Sequence, residues 1–239
     1  MYQLEDKLWW YRGQRKITEA LFDRFLPRSG RPLEILDCGA GSGGSLALLE
    51  PWGQVTAFDF SPLAVEFLKS RAKARVAQAS AAAMPFRDAV FDLVTIFDVL
   101  GSLDPATEAK ALVEIGRVIK PGGYLFWREP ALMFLYGPHD RATHFQRRYT
   151  TRSFSERLVR IGLKPLRLSY ANSLLFPVAA VWRLLARLLP AEGTPRSDVR
   201  QMPEPLNSAL GWLLAQEAPL IARKGLPIGL SVLTMARKE

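Results

Sequence analysis

The spacing of apolar residues alternates along the first half of the chain between helical periodicity and short unbroken runs. An amphipathic opening helix is predicted from roughly Leu4 to Phe25, ending at Pro27. Five strands are then predicted from the runs "LEILDCG", "QVTAFDF", "RVAQAS", "FDLVTIFDV" and "YLFWREP". Helices are predicted from "SLALLE", "PLAVEFLKSRAK" and "TEAKALVEIGRVI", the last closed by "KPGG". This alternation is typical of βαβ units, and so of a mostly parallel, doubly wound sheet with helices on both faces.

The pattern becomes less regular after Pro130. "SFSERLVRIG" predicts a helix, "KPLRLSYA" a strand and "GLSVLTMARK" a last strand. Between those two strands, residues 172–227 predict two apolar helices, at about 174–189 and 205–222, flanking a segment that contains Pro and Gly. We therefore expect four parts: an N-terminal covering helix (1–30), an α/β core (31–171), an inserted helical cap or substrate lid (172–227) and a last core strand (228–239).

The composition indicates a globular protein without a cysteine framework. With 49% hydrophobic residues in 239, the chain can bury a substantial core. Cys38 is the single cysteine, which excludes an internal disulfide and a multi-cysteine metal site. The N-terminus lacks the continuous apolar run of a signal peptide, so a cytoplasmic protein is expected. The longest apolar stretch, Leu174 to Leu189, is interrupted by Pro177, Arg183 and Arg187 and is too short to span a bilayer.

The positive charge lies entirely in the second half of the chain. Residues 1–130 contain 16 Lys and Arg against 16 Asp and Glu, whereas residues 131–239 contain 16 against 7, which gives the net charge of +9. A basic half of this kind suits nucleic acid, an anionic lipid surface or an acidic small molecule, and it also serves simply to keep a protein soluble.

A glycine-rich turn follows the first predicted strand. Gly39, Gly41 and Gly44 satisfy G-x-G-x-x-G, and Asp59 follows at the end of the second strand, so the turn suits either a dinucleotide or S-adenosylmethionine (SAM). Asp37 favours SAM over a dinucleotide, because its carboxylate would repel a pyrophosphate and attract the ammonium group of a methionine moiety. Asp37 could alternatively only cap the turn.

Several segments in this order resemble the class I SAM-dependent methyltransferases: "ILDCGAGSGGSLALL", "VTAFDFSPLAVEFLKSRA", "MPFRDAVFDLVTIFDVL" and "LVEIGRVIKPGGYLF". The resemblance covers roughly Leu33 to Gly162 and is closest in style to the small-molecule C- and O-methyltransferases of quinone biosynthesis. It implies a Rossmann-like, seven-stranded sheet with a final antiparallel strand, here with a helical cap inserted between the last two strands. It also implies SAM as the cofactor.

The resemblance implies roles for residues at the ends of the first two strands. The residues that would line the methionine end of SAM are Asp37, Gly39, Gly41 and Gly43. Asp59 would accept from the ribose hydroxyls, with Phe60 against the adenine.

Further along, the chain departs from the family pattern. Ser80 and Ala81 stand where relatives often have Asp and Ala, so Ser80 would accept from the adenine amino group without a negative charge. Phe97 and Asp98, after the fourth strand, would face the amino-acid end of the cofactor or the substrate.

The N-terminal segment "WWYRGQRK" also resembles a cofactor-covering helix of some of these enzymes. Tyr11 and Arg15 lie four residues apart on one helical face, where Arg15 could reach the cofactor carboxylate and Tyr11 could shield the sulfonium. The alternative is that Trp9 and Trp10 anchor the core and the cations are solvated.

Both histidines of the chain lie in "HDRATHFQRRYT", after the fifth strand. A metal pair is disfavoured because the spacing of His139 and His144 is not helical i,i+4 and the only carboxylate near them in the sequence is Asp140. A solvated loop remains an alternative. Since imidazole titrates near neutrality, His144 is our first candidate for a base or substrate-orienting group and His139 the second. Arg148 and Tyr149 are expected to bind polar substrate atoms, Tyr149 being also a candidate catalytic residue.

The expected function is methyl transfer from SAM to a small, hydrophobic or lipid-like acceptor with an O or C nucleophile. Trp182, in the first cap helix, is a candidate substrate contact, and that helix could also make peripheral membrane contact. A nucleic-acid methyltransferase is an alternative, although no nucleic-acid module is evident and "FDVL" stands where amino-methylating DNA enzymes have "NPPY". A non-catalytic SAM-binding module stays open. An NAD-dependent oxidoreductase is disfavoured by Asp37 and by the lack of an evident Tyr-x-x-x-Lys pair. No metal is expected.

Overall fold

Seven strands form a single sheet in the computed structural model, which describes residues 8–28, 30–71, 74–186 and 202–239. In chain order the strands are β1 (Leu33–Cys38), β2 (Gly53–Asp59), β3 (Arg75–Gln78), β4 (Phe91–Phe97), β5 (Ile119–Pro130), β6 (Leu163–Ala171) and β7 (Ser231–Lys238). Their order across the sheet is β3-β2-β1-β4-β5-β7-β6. Strand β7 runs antiparallel to β5 and β6, and the other pairs are parallel. The predicted Rossmann-like sheet with a final antiparallel strand is confirmed.

Helices cover both faces of this sheet. They are α1 (Trp9–Phe25), α2 (Leu46–Leu49), α3 (Pro62–Arg71), α4 (Pro105–Val118), α5 (Pro138–Ala142), α6 (Thr151–Arg160), α7 (Phe176–Ala186), α8 (Glu204–Ala215) and α9 (Ala218–Arg223). Short 3-10 helices occupy Glu50–Trp52, Leu100–Ser102 and Met133–Leu135. Helix α4 shows how local chemistry sets these boundaries, since Pro105 occupies its first turn and the Asp104 carboxylate accepts from two backbone N–H groups there.

The strands are apolar on both sides because each face of the sheet supports its own core. Consecutive residues of a strand point to opposite faces, so Phe126 and Trp127 belong to different cores. The Phe126 side packs against α1, α8 and α9, and the Trp127 side packs against α4 and α6, with Trp127 stacked on Phe154 at a centroid distance of 3.7 Å. This burial explains the nearly continuous apolar runs in the sequence.

The strand order changes direction between β1 and β4. The chain fills one side of β1 with β2 and β3 and then the other side with β4 and β5. In open α/β sheets, ligands bind at the carboxyl ends of the strands beside such a switch point. The glycine turn after β1 lies at this position.

Helix α1 packs closely against α8. A Cβ atom on Gly13 would lie 2.5 Å from the Leu214 side chain, so glycine is what permits this approach. The Trp9 backbone N–H donates to the Asn207 Oδ1 at 2.7 Å, and Arg12 pairs with Glu204 at 3.0 Å. The segment between the last two strands thus contributes directly to the support of the N-terminal helix.

Three predicted boundaries differ from the structure. The helix predicted at 205–222 is two helices, α8 and α9, separated at Gln216 and Glu217. The "KPGG" segment, predicted to close α4, belongs to β5, which starts at Ile119 and whose pairing with β4 shifts register between Phe91 and Leu93. Helix α7 starts two residues later than predicted.

Some predicted features lie outside the described residues. These are residues 4–7 of the opening helix, Arg187, and most of the Pro- and Gly-containing segment between the two apolar regions. The division of the chain into a core and an inserted lid stays a prediction.

Candidate functional site

The turn after β1 leaves open space at its centre. Gly39, Gly41 and Gly43 have φ values of +70°, +55° and +83°, a backbone region that side chains other than glycine rarely adopt. A Cβ atom on Gly41 would meet no other atom within 4 Å, whereas one on Gly39 would lie 2.7 Å from the Val99 side chain. The turn is therefore packed from below at Gly39 and accessible to a ligand at Gly41.

Asp37 lies beneath this turn and is almost completely buried. Its carboxylate accepts from the Thr95 hydroxyl at 2.8 Å and from the Ser45 hydroxyl. Burial raises the pKa of Asp37 to about 6, and the two hydroxyl donors limit that rise. A carboxylate held in this state gains from a cationic ligand, because a nearby positive charge offsets the cost of keeping it ionised.

Asp59 lies at the end of the neighbouring strand β2. Its Oδ2 accepts from the Gly41 N–H and its Oδ1 from the Ser61 N–H, both at 2.9 Å. These bonds fix the carboxylate beside the glycine turn, and each oxygen keeps a further lone pair for a ligand hydroxyl. The Phe60 ring follows directly and is 76% exposed, which makes it available for stacking.

The loop after β3 reaches the same edge of the sheet. The Ala79 N–H donates to the Asp59 carbonyl at 3.1 Å, which ties the loop to the end of β2. The Ser80 hydroxyl accepts from the Ala82 N–H at 3.2 Å, and Ala81 packs against the core. Ser80 thus lies in a tight turn near Asp59, where its hydroxyl oxygen can accept one further hydrogen bond.

The first turn of α1 lies over the ends of β4 and β5. The Arg128 guanidinium is 4.8 Å from the centre of the Trp10 ring and 5.1 Å from that of Phe97, and it pairs with the Asp98 carboxylate. Asp98 has a φ of +58°, and its N–H donates to the Arg128 carbonyl at 2.9 Å. The Tyr11 ring meets the Trp10 ring edge-on at 4.8 Å. The predicted residues Tyr11, Phe97 and Asp98 are thus brought into one neighbourhood, and half-buried Arg15 lies one helical turn from Tyr11 on α1.

The sequence interpretation missed Arg128 and its neighbour Glu129. Glu129 is fully buried and accepts from the Leu100 N–H at 2.7 Å, the Val99 N–H at 3.1 Å and the Trp127 Nε1–H at 3.1 Å. Burial, with a smaller contribution from Asp98, raises the pKa of Glu129 to about 8. The sequence did offer an indication of these two residues, since they are charged and stand at the end of a strand that is otherwise apolar.

The histidine segment is built around a buried ion pair. Arg148 donates to both Asp140 carboxylate oxygens, at 2.9 and 3.0 Å, and to the Ala131 carbonyl at 3.0 Å. Both side chains are almost fully buried, so Arg148 supports the segment from inside, and its contact with substrate stays a prediction. His139 is half-buried in α5, whereas His144 is exposed in a turn with a φ of +60°.

Tyr149 also has an internal position. Its ring packs edge-on against Trp127 and Phe154, and its hydroxyl donates to Glu108 at 2.9 Å. Burial, with repulsion from nearby carboxylates, raises the pKa of Tyr149 well above its usual range. Glu108 is paired in turn with Arg147 and Arg157. Tyr149 therefore joins the segment to α4 and the core, and its role as a catalytic or substrate-binding group stays a prediction.

Trp182 lies on an apolar surface of α7 and is 68% exposed. The other exposed side chains of this surface are Val178, Val181 and Leu185, at spacings that place them on one face of the helix, and exposed Leu174 lies just before it. Arg183 donates to the Leu135 carbonyl at 3.2 Å, which joins α7 to the 3-10 helix after β5. The apolar surface is therefore attached to the same edge of the sheet as the glycine turn.

The part of the chain that the structure describes contains no cluster of three or more His, Cys, Asp or Glu side chains that could hold a metal ion. In the same residues, no helix is both long enough and apolar enough to cross a bilayer.

Comparisons with known proteins agree on the class of domain. Residues 36–127 match the family model described as a methyltransferase domain. The chain is 37% identical over 102 residues to a demethylmenaquinone methyltransferase from Thermus thermophilus, which covers 39% of this chain and 46% of that protein. It is 30% identical over 130 residues to a tRNA N(3)-cytidine methyltransferase from Danio rerio, which covers 48% of this chain and 35% of that protein. The alignments thus span less than half of either curated relative.

The fold comparison extends over nearly the whole chain. A SAM-dependent methyltransferase structure from Archaeoglobus fulgidus matches with a TM-score of 0.61 at 16% identity, covering 98% of this chain and 97% of that one. At this identity the likeness concerns the fold. Together with the match of residues 36–127 to a methyltransferase domain, it shows that the chain has the Rossmann-like methyltransferase fold.

Proposed function

We propose that the protein transfers the methyl group of SAM to a small, hydrophobic acceptor through an oxygen or carbon nucleophile. The observation that carries this proposal is the pair of carboxylates, Asp37 and Asp59, on adjacent strands at either side of an accessible glycine turn. When bound, SAM supplies an activated methyl group on a positively charged sulfur. The residues of the chain then need only to bind, orient and shield the two reactants.

The donor set fits SAM in charge and shape. Asp37 offers a buried negative charge to an ammonium group, Asp59 offers acceptors to two ribose hydroxyls, and Phe60 offers an exposed ring to adenine. Ser80 and Ala81 lie beside Asp59 and would contact the adenine edge. We assign Tyr11 and Arg15 on α1 to the methionine end, as a cover.

A hydrophobic acceptor is supported by the surroundings of the site. The rings of Trp10 and Phe97 border it, and the apolar surface of α7, with Trp182, is joined to the same edge. The relative from Thermus thermophilus is named for an acceptor, demethylmenaquinone, that is a quinone. Within this proposal, exposed His144 is the candidate base for an acceptor that must lose a proton, with half-buried His139 second.

A nucleic-acid acceptor is the second candidate function. The relative from Danio rerio is named for a tRNA cytidine, and residues 131–186 contain nine Lys and Arg against two Asp and Glu. We favour the small acceptor because the exposed surface of α7 is apolar, whereas phosphate binding needs exposed cations.

Calorimetric titration with S-adenosylhomocysteine, with NADH as the comparison ligand, tests the cofactor assignment. We expect binding of the homocysteine and none of NADH, and the reverse result would refute the proposal. Asp59→Asn is expected to weaken binding at least tenfold, because an amide presents one acceptor oxygen in place of two. Salt-sensitive binding to RNA, without binding to neutral aromatic ligands, would favour the second function.

Two further measurements address the acceptor side. His144→Ala with unchanged turnover would remove the base assignment and leave the cofactor site intact. We also propose peripheral membrane contact through α7. Sedimentation with vesicles that contain anionic lipid is expected to decrease for Trp182→Ser, and sedimentation equal to the wild type would exclude α7 as the contact.

A further inference from the structure

Arg128 is a buried cation whose protein partners occupy only part of its donor set. Its side chain is 7% exposed and lies between the Trp10 and Phe97 rings. The Nε–H and one Nη2–H donate to the same oxygen of Asp98. A guanidinium has five N–H donors in a planar fork, so the Asp98 contact occupies one edge of the group.

The end of the guanidinium fork has no acceptor among the residues that the structure describes. Within the described residues no hydrogen bond involves Nη1, and the rings of Trp10 and Phe97 present faces, not lone pairs, to the group. Nη1 is not one of the buried side-chain atoms left without a partner, so its two N–H groups reach solvent. The two Nη1–H groups are therefore available to a ligand.

The register of the sheet places Arg128 on the ligand side. Asp37 pairs with Thr95 and Phe97 pairs with Arg128, so all four side chains lie on the face that α1 covers. Strand β5 is two strands from β1, which is about 10 Å at the usual strand spacing of ~4.8 Å. Asp59, assigned to the ribose, lies on the opposite side of β1. Arg128 thus lies beyond the cofactor residues, on the side left for an acceptor.

We propose that Arg128 binds an anionic oxygen of the methyl acceptor, such as a carboxylate or a phenolate, through the free end of its guanidinium. Asp98 holds the group in place from its other edge, and Trp10 closes over it from α1. The acceptor class is therefore an aromatic or otherwise hydrophobic molecule that carries a negative charge. This inference rests on the proposed function and specifies its substrate.

The test uses benzoate and its neutral isostere benzamide as probes, titrated calorimetrically into the full-length protein saturated with S-adenosylhomocysteine. We expect benzoate to bind about tenfold more tightly, since a charge-assisted hydrogen bond contributes about 1.5–3 kcal/mol. Arg128→Met should remove this preference and leave the affinity for the homocysteine within about threefold of the wild type. Arg152→Met, at an exposed position on α6, is the matched control and should change neither.

A second variant separates binding from a purely structural role. Asp98→Asn removes the negative charge that competes for Arg128 and is expected to strengthen benzoate binding. If the Arg128–Asp98 pair had a structural role alone, the same substitution would weaken the binding of both probes or leave it unchanged. If Arg128→Met does not fold, Arg128→Lys, which keeps the charge and loses the fork, should reduce the preference while Asp98→Asn increases it. Equal binding of benzoate and benzamide by the wild type, with the homocysteine bound, overturns the Arg128 proposal alone. Failure to bind the homocysteine overturns the proposed function instead.

Discussion

The protonation of Asp37 is expected to make cofactor binding pH-dependent between pH 7 and pH 5. The carboxylate is buried beneath the glycine turn, where the Ser45 and Thr95 hydroxyls donate hydrogen bonds to it and stabilise its charge. Its pKa is raised from 3.8 to about 6 as a result. A ligand ammonium needs the ionised form, so lowering the pH removes the binding-competent state of the site.

The magnitude follows from that pKa. With a pKa of about 6 in the free protein, roughly nine-tenths of Asp37 is ionised at pH 7 and roughly one-tenth at pH 5, so the affinity for S-adenosylhomocysteine should fall about tenfold. The effect on stability has the opposite sign. Because the folded-state pKa is raised, the folded protein binds more protons between pH 4 and 6, and the Asp37 contribution to the free energy of unfolding falls as the pH rises through that window.

Calorimetric titration with the homocysteine at pH 5, 6 and 7 measures the effect. Asp37→Asn should bind more weakly at pH 7 and show no such pH dependence, which isolates this group from other titrating residues. Thr95→Val removes one hydroxyl donor from the carboxylate and should move the midpoint of the wild-type curve to higher pH. An affinity that is the same at pH 5 and pH 7 in the wild type would contradict the reasoning.

Two packing predictions can be tested by urea unfolding. Gly13→Ala should lower the free energy of unfolding by about 1–3 kcal/mol, because its Cβ atom would lie 2.5 Å from a side chain of α8. The control Gly211→Ala, whose Cβ atom would meet nothing closer than 3.4 Å, should be neutral or stabilise by up to ~1 kcal/mol. Equal effects of the two substitutions would show that the helices adjust to the added methyl group. Asp140→Ala should lower the free energy of unfolding by about 3–5 kcal/mol, because it removes the carboxylate that accepts two hydrogen bonds from the buried Arg148 guanidinium. Glu156→Ala, in an exposed pair on α6, should cost ~0.5 kcal/mol or less. Similar losses in both variants would mean that the buried pair is no more important than a surface one.

The sheet could be predicted from the sequence because buried parallel strands leave apolar runs that helical segments separate. The division between α8 and α9 was missed because both halves are apolar, although Pro219 in the first turn of α9 is a local signal for a helix start. Glu217 lies at that break. Its carboxylate accepts a hydrogen bond at 2.8 Å from the N–H of Leu174, which lies 43 positions earlier in the chain. Local periodicity carries no information about such a contact.

The site shows a similar limit. Asp37 and Asp59 could be proposed as site residues because their place at strand ends determines which edge of the sheet they reach. The segment with Arg148 gave no such guide, since in an irregular loop the sequence does not indicate which side chains point inward. Its buried partner, Asp140, lies only eight residues earlier and was weighed only as a possible metal ligand. The nearness of Asp140 in the sequence was thus the one indication that Arg148 could pair within its own segment.

Arg128 and Glu129 illustrate why register is needed to assign function. They are adjacent in β5 and therefore point to opposite faces of the sheet. Arg128 faces the side that α1 covers, and Glu129 faces the other core, where it holds the loop after β4. Two neighbouring charges in one sequence motif thus have unrelated surroundings, and only strand pairing separates them.

The cover over the site is a composite of two distant parts of the chain. Trp10 reaches Arg128 only if the first turn of α1 is held in place, and its neighbour Trp9 is held by a backbone hydrogen bond to Asn207 on α8. The exposed pair of Arg12 with Glu204 adds little, so the close contact at Gly13 and this hydrogen bond carry the support. Helix α8 therefore supports the first turn of α1, the part of the chain that we propose covers the site. A change in α8 that loosens this contact should alter ligand binding without touching any residue that contacts the ligand.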